Sequence, residues 1–585
     1  VRSFFKFFLA ALLALVVFTL IGFLILFGIA GSIASSEKAT IASKSVLLLD
    51  LSRSFNDKKP DNTIARLSGD RDIFSASLYD VIRLLQYAKK DSSVRGIYIK
   101  CNENANGFAA SEELRNALLD FRQSKKFIIA YGDMISQKAY FVASAADKIY
   151  CNPKGIIEWK GFASQLFFMK NALKKLEIEP QIFYDGKFKS ATEPLREEKM
   201  TEANRLQTTV WLGDLYNRFL LTTTAARNID TATLHRYANE YMIQTANDAV
   251  KYKLLDGVKY DDEVKDEIRK RLGIGGDDKI EFVHMGSYAE ATNIKKYGSE
   301  RIAVIYAEGD IVYGKGTDGQ VGSDEFRNLI SKARTDKNVK AIVLRVNSPG
   351  GSALASEIIW RETMLTRKAG KPLVVSMGDV AASGGYYISC AADSIFAQPN
   401  TITGSIGVFG IVPNMQNFFK NKLGITFDQV KTAPNADIGS VTRPLTEGEK
   451  IIIQSEIDTI YHDFKTRVAE GRKKDMLFVD SIAQGRVWTG SRAMQIGLVD
   501  RMGGLDDAIA CAAKMAKLTE YGLREYPEPA SFWDLLKNNY SKTAKAKAIK
   551  EELNYNEYQL FMQLKRIRQM VGTAQTRLPF DIVVE

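Results

Sequence analysis

The chain has 585 residues, a formal net charge of +11, 45% hydrophobic and 25% charged residues; it is ordinary in composition and too long for one compact domain. Its basic residues are dispersed among acids and cluster mildly only in KTAKAKAIKEE (542–552), which argues against nucleic acid and fits a surface near anionic lipid. Four distant cysteines with no C-x-x-C, and three histidines (His235, His284, His462) in no ligand spacing, give no support to a zinc or redox motif.

In chain order, the first element is an apolar run. Phe7 to Ile33 carries no charge, and about 20 apolar residues suffice to span a bilayer. The apolar region of a signal peptide is shorter, about 7–15 residues. Residues 1–35 therefore predict an uncleaved transmembrane anchor, with the small-residue stretch GSIASS (31–36) as the ground for the alternative of cleavage. Arg2 and Lys6 precede the run and predict an inside N-terminus with an exported body.

The body repeats itself. DSSVRGIYIKCN (91–102) matches DKNVKAIVLRVN (336–347), and GFAASEELRNAL (107–118) matches SALASEIIWRET (352–363). YGDMISQKAYFVASAADKIYCNP (131–153) matches MGDVAASGGYYISCAADSIFAQP (377–399), and 243–257 falls on 488–502. The offset stays near 245, as 336 stands to 91. Two tandem copies follow, 45–260 and 300–515, with an extension over 516–585 that reads as polar and helical and ends in the strand-like FDIVVE. In the second copy, apolar runs at 301–309, 340–347, 372–378 and 393–399 alternate with helical patterns at 323–334 and 352–370. Such alternation predicts α/β domains with strands buried under helices.

The differences between the copies locate the chemistry. NSPGGS (347–352) of the second copy stands against NENANG (102–107), and Ser383-Gly384-Gly385 against Gln137-Lys138-Ala139. A demand of the fold would be met in both copies; a serine and glycine pairs kept in one copy point to a site there. A serine needs a base close by, with a pKa near working pH. Histidine is scarce, and lysine is the other usual choice when burial lowers its pKa. An S-x-x-K box would need lysine where Tyr386 stands, and a G-x-S-x-G elbow would need glycine where Ala381 stands. The base must come from elsewhere, and YDGKFKSATEPLREEKMT (184–201) of the first copy, whose counterpart QVKTAPNADIGSV (429–441) has no matching Lys-Ser-Ala, offers Lys187 and Lys189.

These motifs resemble the long, two-domain form of the signal peptide peptidase A (protease IV) family. NSPGG (347–351), MGDVAASGGYYIS (377–389) and TGSIGVFG (403–410) match its C-terminal copy, and FKSATEP (188–194) the lysine motif of its N-terminal copy. The resemblance covers nearly the whole chain. It implies tandem ClpP/crotonase-like domains built of repeated ββα units behind a transmembrane helix. It implies a serine endopeptidase with Ser383 as nucleophile, Lys189 rather than Lys187 as general base, and Ser405 holding that lysine. The oxyanion would meet backbone N–H groups of Gly384 and Gly351, with Gly350 permitting close approach. It also implies cleaved signal peptides and other apolar peptides as substrates, a bacterial inner-membrane location with the catalytic body on the periplasmic side, a homotetramer, and no metal, cofactor or nucleic acid. Asp379 departs from the family, which often has a glycine there; Asp133 stands at the same place in the first copy, so the departure reads as structural. An acyl-CoA enzyme of crotonase type is opposed by the export anchor. A non-catalytic scaffold is opposed by the joint presence of Ser383, Lys189 and the glycines; an esterase-like hydrolase is the remaining alternative.

Overall fold

A computed structural model describes residues 2–34, 41–58, 76–292, 294, 298–317, 319–528, 570 and 572–578. Most of the extension, including 542–552 and FDIVVE, lies outside the described residues. The apolar run forms one helix, α1 (Arg2–Ala34), whose segment Ser3–Gly22 has mean hydropathy 2.6 and is long and apolar enough to cross a membrane.

The first repeat contributes β1 (Ser45–Asp50), β2 (Val94–Lys100), β3 (Phe127–Ile135), β4 (Lys148–Ile157), β5 (Glu179–Asp185), β6 (Gly257–Val258) and β7 (Phe282–His284). All but β5 join one parallel sheet in the order β6-β4-β3-β2-β1-β7. The second contributes β8 (Arg301–Glu308), β9 (Asp310–Val312), β10 (Gln320–Gly322), β11 (Val339–Ser348), β12 (Gly350–Ser352), β13 (Leu373–Ala382), β14 (Ser394–Ala397), β15 (Ile402–Gly404), β16 (Val408–Asn414), β17 (Val487–Thr489), β18 (Arg501–Met502), β19 (Gly522–Tyr526) and β20 (Gln575–Arg577). Its main sheet runs β17-β15-β13-β11-β8-β19, with β14 and β18 branching from β13. Strands such as VKAIVLRVNS read as continuous apolar runs because helices cover both faces of a parallel sheet.

The principal helices are α2 (Phe108–Arg122), α3 (Gln137–Ala143), α4 (Glu202–Arg227), α5 (Ala353–Lys368), α6 (Gly384–Ser389) and α7 (Glu447–Arg472). The pair α2 and α5, and the pair α4 and α7, stand 245 residues apart, 353 against 108 and 447 against 202. Even the caps repeat: Thr201 and Thr446 each accept an N–H of the first turn, and Asn228 and Lys473 each end their helix in the left-handed conformation. The extension is not helical where it begins. Residues 522–526 form β19, which adds a parallel edge strand to β8, as β7 does to β1. Both edge strands lie beyond the bounds read from the repeat, because short edges carry no motif of their own.

Buried charge ties the repeats together. Arg345 on β11 is 1% exposed; its Nε donates to Asp57 at 2.9 Å and its Nη2 to Glu113 at 2.7 Å, both from the first repeat. The Asp379 carboxylate accepts the Ala109 and Ala110 N–H groups at 2.8 and 3.0 Å, at the positive N-terminal end of α2. A smaller sheet, β10-β9-β12-β20-β16-β5, crosses the boundary: β5 pairs antiparallel with β16 over seven residues from Val408–Asp185 to Asn414–Glu179. This shared sheet places the first repeat's lysine motif beside the second repeat's serine.

Candidate active site

Ser383 lies between the end of β13 and the start of α6, and its carbonyl begins that helix by accepting the Tyr387 N–H at 2.8 Å. Its φ of +54° with ψ of −114° is a conformation that a side-chain-bearing residue avoids, at a cost of order 1–3 kcal/mol. The turn is held from both sides, since Ser383 N–H donates to Gly404 O at 2.7 Å and Ser405 N–H to Arg486 O at 2.7 Å. Gly384 and Gly385 allow the packing: a Cβ on Gly385 would stand 2.5 Å from Ser348 O.

Lys189 comes from the other repeat. It follows β5 and precedes a 3-10 turn, Ser190–Thr192. Phe188 N–H donates to Gln484 O at 2.7 Å, and Gln207 Nε2 donates to Phe188 O and to Ser190 Oγ at 3.1 and 2.9 Å. Glu193, buried, accepts from Thr201 and Asn204 and fixes the far side of the turn. So held, the Lys189 Nζ is 2.9 Å from Ser383 Oγ, 3.2 Å from Ser405 Oγ and 3.2 Å from Ser405 O.

The environment of the pair is apolar and closed. Ser383 is 0% and Lys189 1% exposed, and the Phe409 ring lies 5.9 Å from Nζ. Among the described residues no carboxylate forms an ion pair with Lys189. Burial alone therefore pushes its pKa well below the ordinary lysine value. Three contacts meet an amine that, when neutral, has two hydrogens and one lone pair. The two hydrogens suit the Ser405 acceptors, which leaves the lone pair for the Ser383 hydroxyl.

Gly350 and Gly351 form β12 beside this pair. Gly350 has φ +97°, and a Cβ there would stand 2.1 Å from Thr576 O and 2.6 Å from Gly384 N. No side chain is compatible with that position. Lys187, by contrast, is exposed, with its Nζ 6.0 Å from the Phe188 ring centre. The structure thus brings together Ser383, Lys189, Ser405, Gly350, Gly351 and Gly384 and leaves Lys187 outside. His235 and His462 are exposed, and His284 lies in the first repeat's sheet edge. Among the described residues no group of His, Cys, Asp or Glu is arranged to hold a metal ion.

Sequence reasoning missed three supports. Ser348 accepts the Gly350 N–H at 3.2 Å and donates to Gly309 O at 2.6 Å, and its signal lay inside NSPGGS. Gln207 and Gly485 hold the lysine turn from distant elements: a Cβ on Gly485 would stand 2.7 Å from Lys189 Cα. No local pattern marks either.

Tandem α/β repeats that close over a strained serine and a glycine-lined strand have the form of a serine hydrolase, and comparison makes the class a serine peptidase. The sequence profile of Peptidase family S49 matches residues 120–275 and 366–519, once in each repeat, and the chain belongs to that family. It is 36% identical over 543 residues to Protease 4 of Salmonella typhi, covering 90% of this chain and 87% of that one. With Protease 4 of Haemophilus influenzae it shares 35% identity over 514 residues, 85% of this chain and 83% of the relative. Among solved structures, the 1510-N membrane-bound stomatin-specific protease aligns with 40% of this chain and 100% of its own, at 15% identity and TM-score 0.26.

Proposed function

We propose that this serine peptidase works through a Ser383–Lys189 dyad, with the first repeat supplying the base to a nucleophile on the second. The observation that carries the reading is the 2.9 Å approach of a fully buried lysine amine to the serine hydroxyl across 194 residues of sequence. Neutral Lys189 takes the hydroxyl proton as Ser383 Oγ attacks a peptide carbonyl. Ser405, through its hydroxyl and carbonyl, fixes the amine so that its lone pair faces Oγ. The Gly351 and Gly384 N–H groups receive the oxyanion; one such preorganised donor is worth about 2.7–4 kcal/mol. Lys189 then gives its proton to the leaving amine, and water releases the acyl group by the same route in reverse.

The substrate class we infer is the extended apolar peptide, with cleaved signal peptides as the natural case. Its support is an N-terminal helix fit to anchor the enzyme in a membrane, where such peptides remain. The reading places the chain in a bacterial inner membrane by a single pass, catalytic body on the periplasmic side. It includes assembly into a homotetramer. The pairing of β5 with β16, moved by one repeat, predicts that residues 424–430 of one copy meet residues 163–169 of the next. In this chain 424–430 are exposed and outside any strand, with Val430 101%, Phe427 52% and Ile425 45% exposed. A head-to-tail contact of this kind closes into a ring when its rotation divides a circle.

The test is hydrolysis of an apolar signal-like peptide by the full chain in detergent. Ser383→Ala is expected to be inactive, and Lys189→Ala to lose about 10²–10⁴-fold in kcat, the usual share of a general base. Both must keep the wild-type circular dichroism. An active Lys189→Ala would remove lysine from the mechanism.

A further inference from the structure

One segment of the second repeat, residues 484–488, touches both Lys189 and the serine that holds it. On one side Gly485 N–H donates to Ile406 O at 2.7 Å, as Ser405 N–H does to Arg486 O, and β17 continues against β15 with Val487 paired to Gly404. On the other side the same segment receives the lysine turn of the first repeat. Phe188 N–H donates to Gln484 O, and Lys187 N–H donates to Gln484 Oε1 at 3.3 Å. Gln207, which holds Phe188 and Ser190, accepts the Val487 N–H at 3.2 Å. The Gly485 backbone lies so close on Lys189 that a Cβ there would stand 2.7 Å from the lysine's N, Cα and Cβ alike. Lys189 and Ser405 belong to different repeats, and this segment fixes where one stands relative to the other.

At its centre is an arginine without an acid. Arg486 is half-buried, and its guanidinium carbon lies 5.0 Å from the centre of the Phe188 ring and 4.3 Å from that of the Trp488 ring. Among the described residues no carboxylate forms an ion pair with it. Burial, with the like charge of Arg492 nearby, pulls its pKa down, and Arg492 is itself held by Asp214. The indole is fixed in turn: Trp488 Nε1 donates to Ile482 O at 3.0 Å, and a Cβ on Gly404 would stand 2.7 Å from Trp488 Cδ1. A half-buried cation with no anion costs free energy. What this one gains is two aromatic faces, and one of them belongs to the residue just before Lys189.

The contact stands at the margin of a dry region. Along the turn, exposure falls from Lys187 in solvent through half-buried Phe188 to Lys189 at 1%. No charged side chain comes to the amine from β15, β16 or α6. Asp379 of β13 is bound at the start of α2, Glu193 accepts from Thr201 and Asn204, and Asp185 of β5 interacts with Asp458, Lys465 and Asp480. The neutral state of Lys189 therefore depends on the exclusion of water.

We propose that Arg486 is a positioning residue: stacked on Phe188 and Trp488 and bonded through its carbonyl to Ser405, it clasps the lysine turn to the repeat that carries the nucleophile. The clasp keeps water from Lys189 and keeps its amine in line with Ser383. This rests on the dyad reading. Arg486 makes no bond to the dyad itself, and its effect reaches the reaction through the place of Nζ. Opening the clasp admits water, restores part of the solvation of the ammonium and raises the lysine's pKa. The loss falls on kcat, because a misplaced base leaves the binding of the peptide as it was.

The experiment is the pH profile of apolar-peptide hydrolysis by the full chain in detergent. It compares wild type with Arg486→Ala, Arg486→Lys, Phe188→Leu, and Arg486→Ala combined with Phe188→Leu, each checked by circular dichroism and thermal melting. Every variant is expected to lose about 10–100-fold in kcat with KM little changed, and to move the acidic limb to higher pH. The double variant is expected to be no worse than the worse single one, because the two side chains make one contact. Arg486→Lys decides between clasp and charge, since it keeps the charge and loses the flat stacking face. If it keeps the wild-type limb while Arg486→Ala moves it, Arg486 acts by charge and the clasp is overturned. A lower kcat with an unmoved limb in every variant assigns the contact to packing and overturns the clasp, as does an additive loss in the double variant. If Arg486→Ala does not fold, Arg486→Lys and Phe188→Leu carry the same decision. An active Lys189→Ala removes the dyad reading and the clasp with it. An inactive Lys189→Ala beside wild-type behaviour of Arg486→Lys and Phe188→Leu leaves the dyad standing and overturns the clasp alone.

Discussion

At the scale of the residue, the proposed dyad depends on one desolvated amine. Burial favours the neutral form of Lys189, and only that form accepts a proton. kcat/KM should rise as pH rises through the lysine's lowered pKa, and should already be on that rise well below the ordinary lysine range. Ser405 offers two acceptors to the amine, and a charged ammonium gains more from acceptors than a neutral amine does. Ser405→Ala is therefore expected to shift the acidic limb of the profile to lower pH and to lower kcat by about 10–100-fold, as a lost bond of about 1.5–3 kcal/mol would. A drop in kcat with an unmoved limb would assign Ser405 to packing alone. Gly350→Ala should cost still more, because its Cβ would stand 2.6 Å from the Gly384 backbone nitrogen, which cannot move aside as a side chain can.

Between elements, the repeats are joined by acids that outnumber their partner. Arg345 serves Asp57 and Glu113, while Glu308 accepts the Lys58 N–H at 2.9 Å. Burial, with Asp57 nearby, pushes Glu308 up to about 7, and burial does the same to Glu113 against the pull of Arg345. A carboxyl whose pKa is raised by folding stabilises the fold most below its unfolded pKa. That contribution is lost as pH rises from about 4.3 through the folded value. Urea midpoints should therefore fall between pH 5 and pH 8, and less steeply in Glu308→Gln. Arg345→Met leaves two buried carboxylates without their cation and should cost about 3–5 kcal/mol near pH 8, with partial recovery in acid. An unchanged midpoint in Arg345→Met would mean that the inter-repeat contact does not limit stability.

For the whole molecule, the tandem repeat leaves two edges unmatched. One β5–β16 pairing is satisfied inside the chain; in the head-to-tail assembly proposed above, its counterpart joins residues 424–430 of one copy to 163–169 of the next. Phe427→Lys with Val430→Lys is expected to reduce the assembly in detergent to a monomer by light scattering, without altering the monomer's circular dichroism. An intact assembly would place the interface elsewhere. The dyad lies within one chain here, so the monomeric variant should retain a paired Ser383 and Lys189.

The sequence by itself determined the repeat, the α/β class, the apolar helix and the serine. Each is written locally, as a periodicity, an offset near 245 or a glycine pair present in one copy only. It narrowed the base to Lys187 and Lys189, and the choice between them came from resemblance, because two residues of spacing say nothing about which side chain is buried. Only the tertiary structure separates the two physically: β5 crosses to β16, and the next turn sends Lys189 inward and leaves Lys187 in solvent. Asp379 likewise resembles Asp133 in the alignment. Yet it caps a helix of the other repeat, while Asp133 bonds to Tyr131 and Asn152 within its own. The strand at 575–577 was illegible for the same reason. Three residues of β-structure have no periodicity to read, and what gives them meaning is a register against Gly350–Ser352, more than 220 residues earlier, as 576 stands to 351.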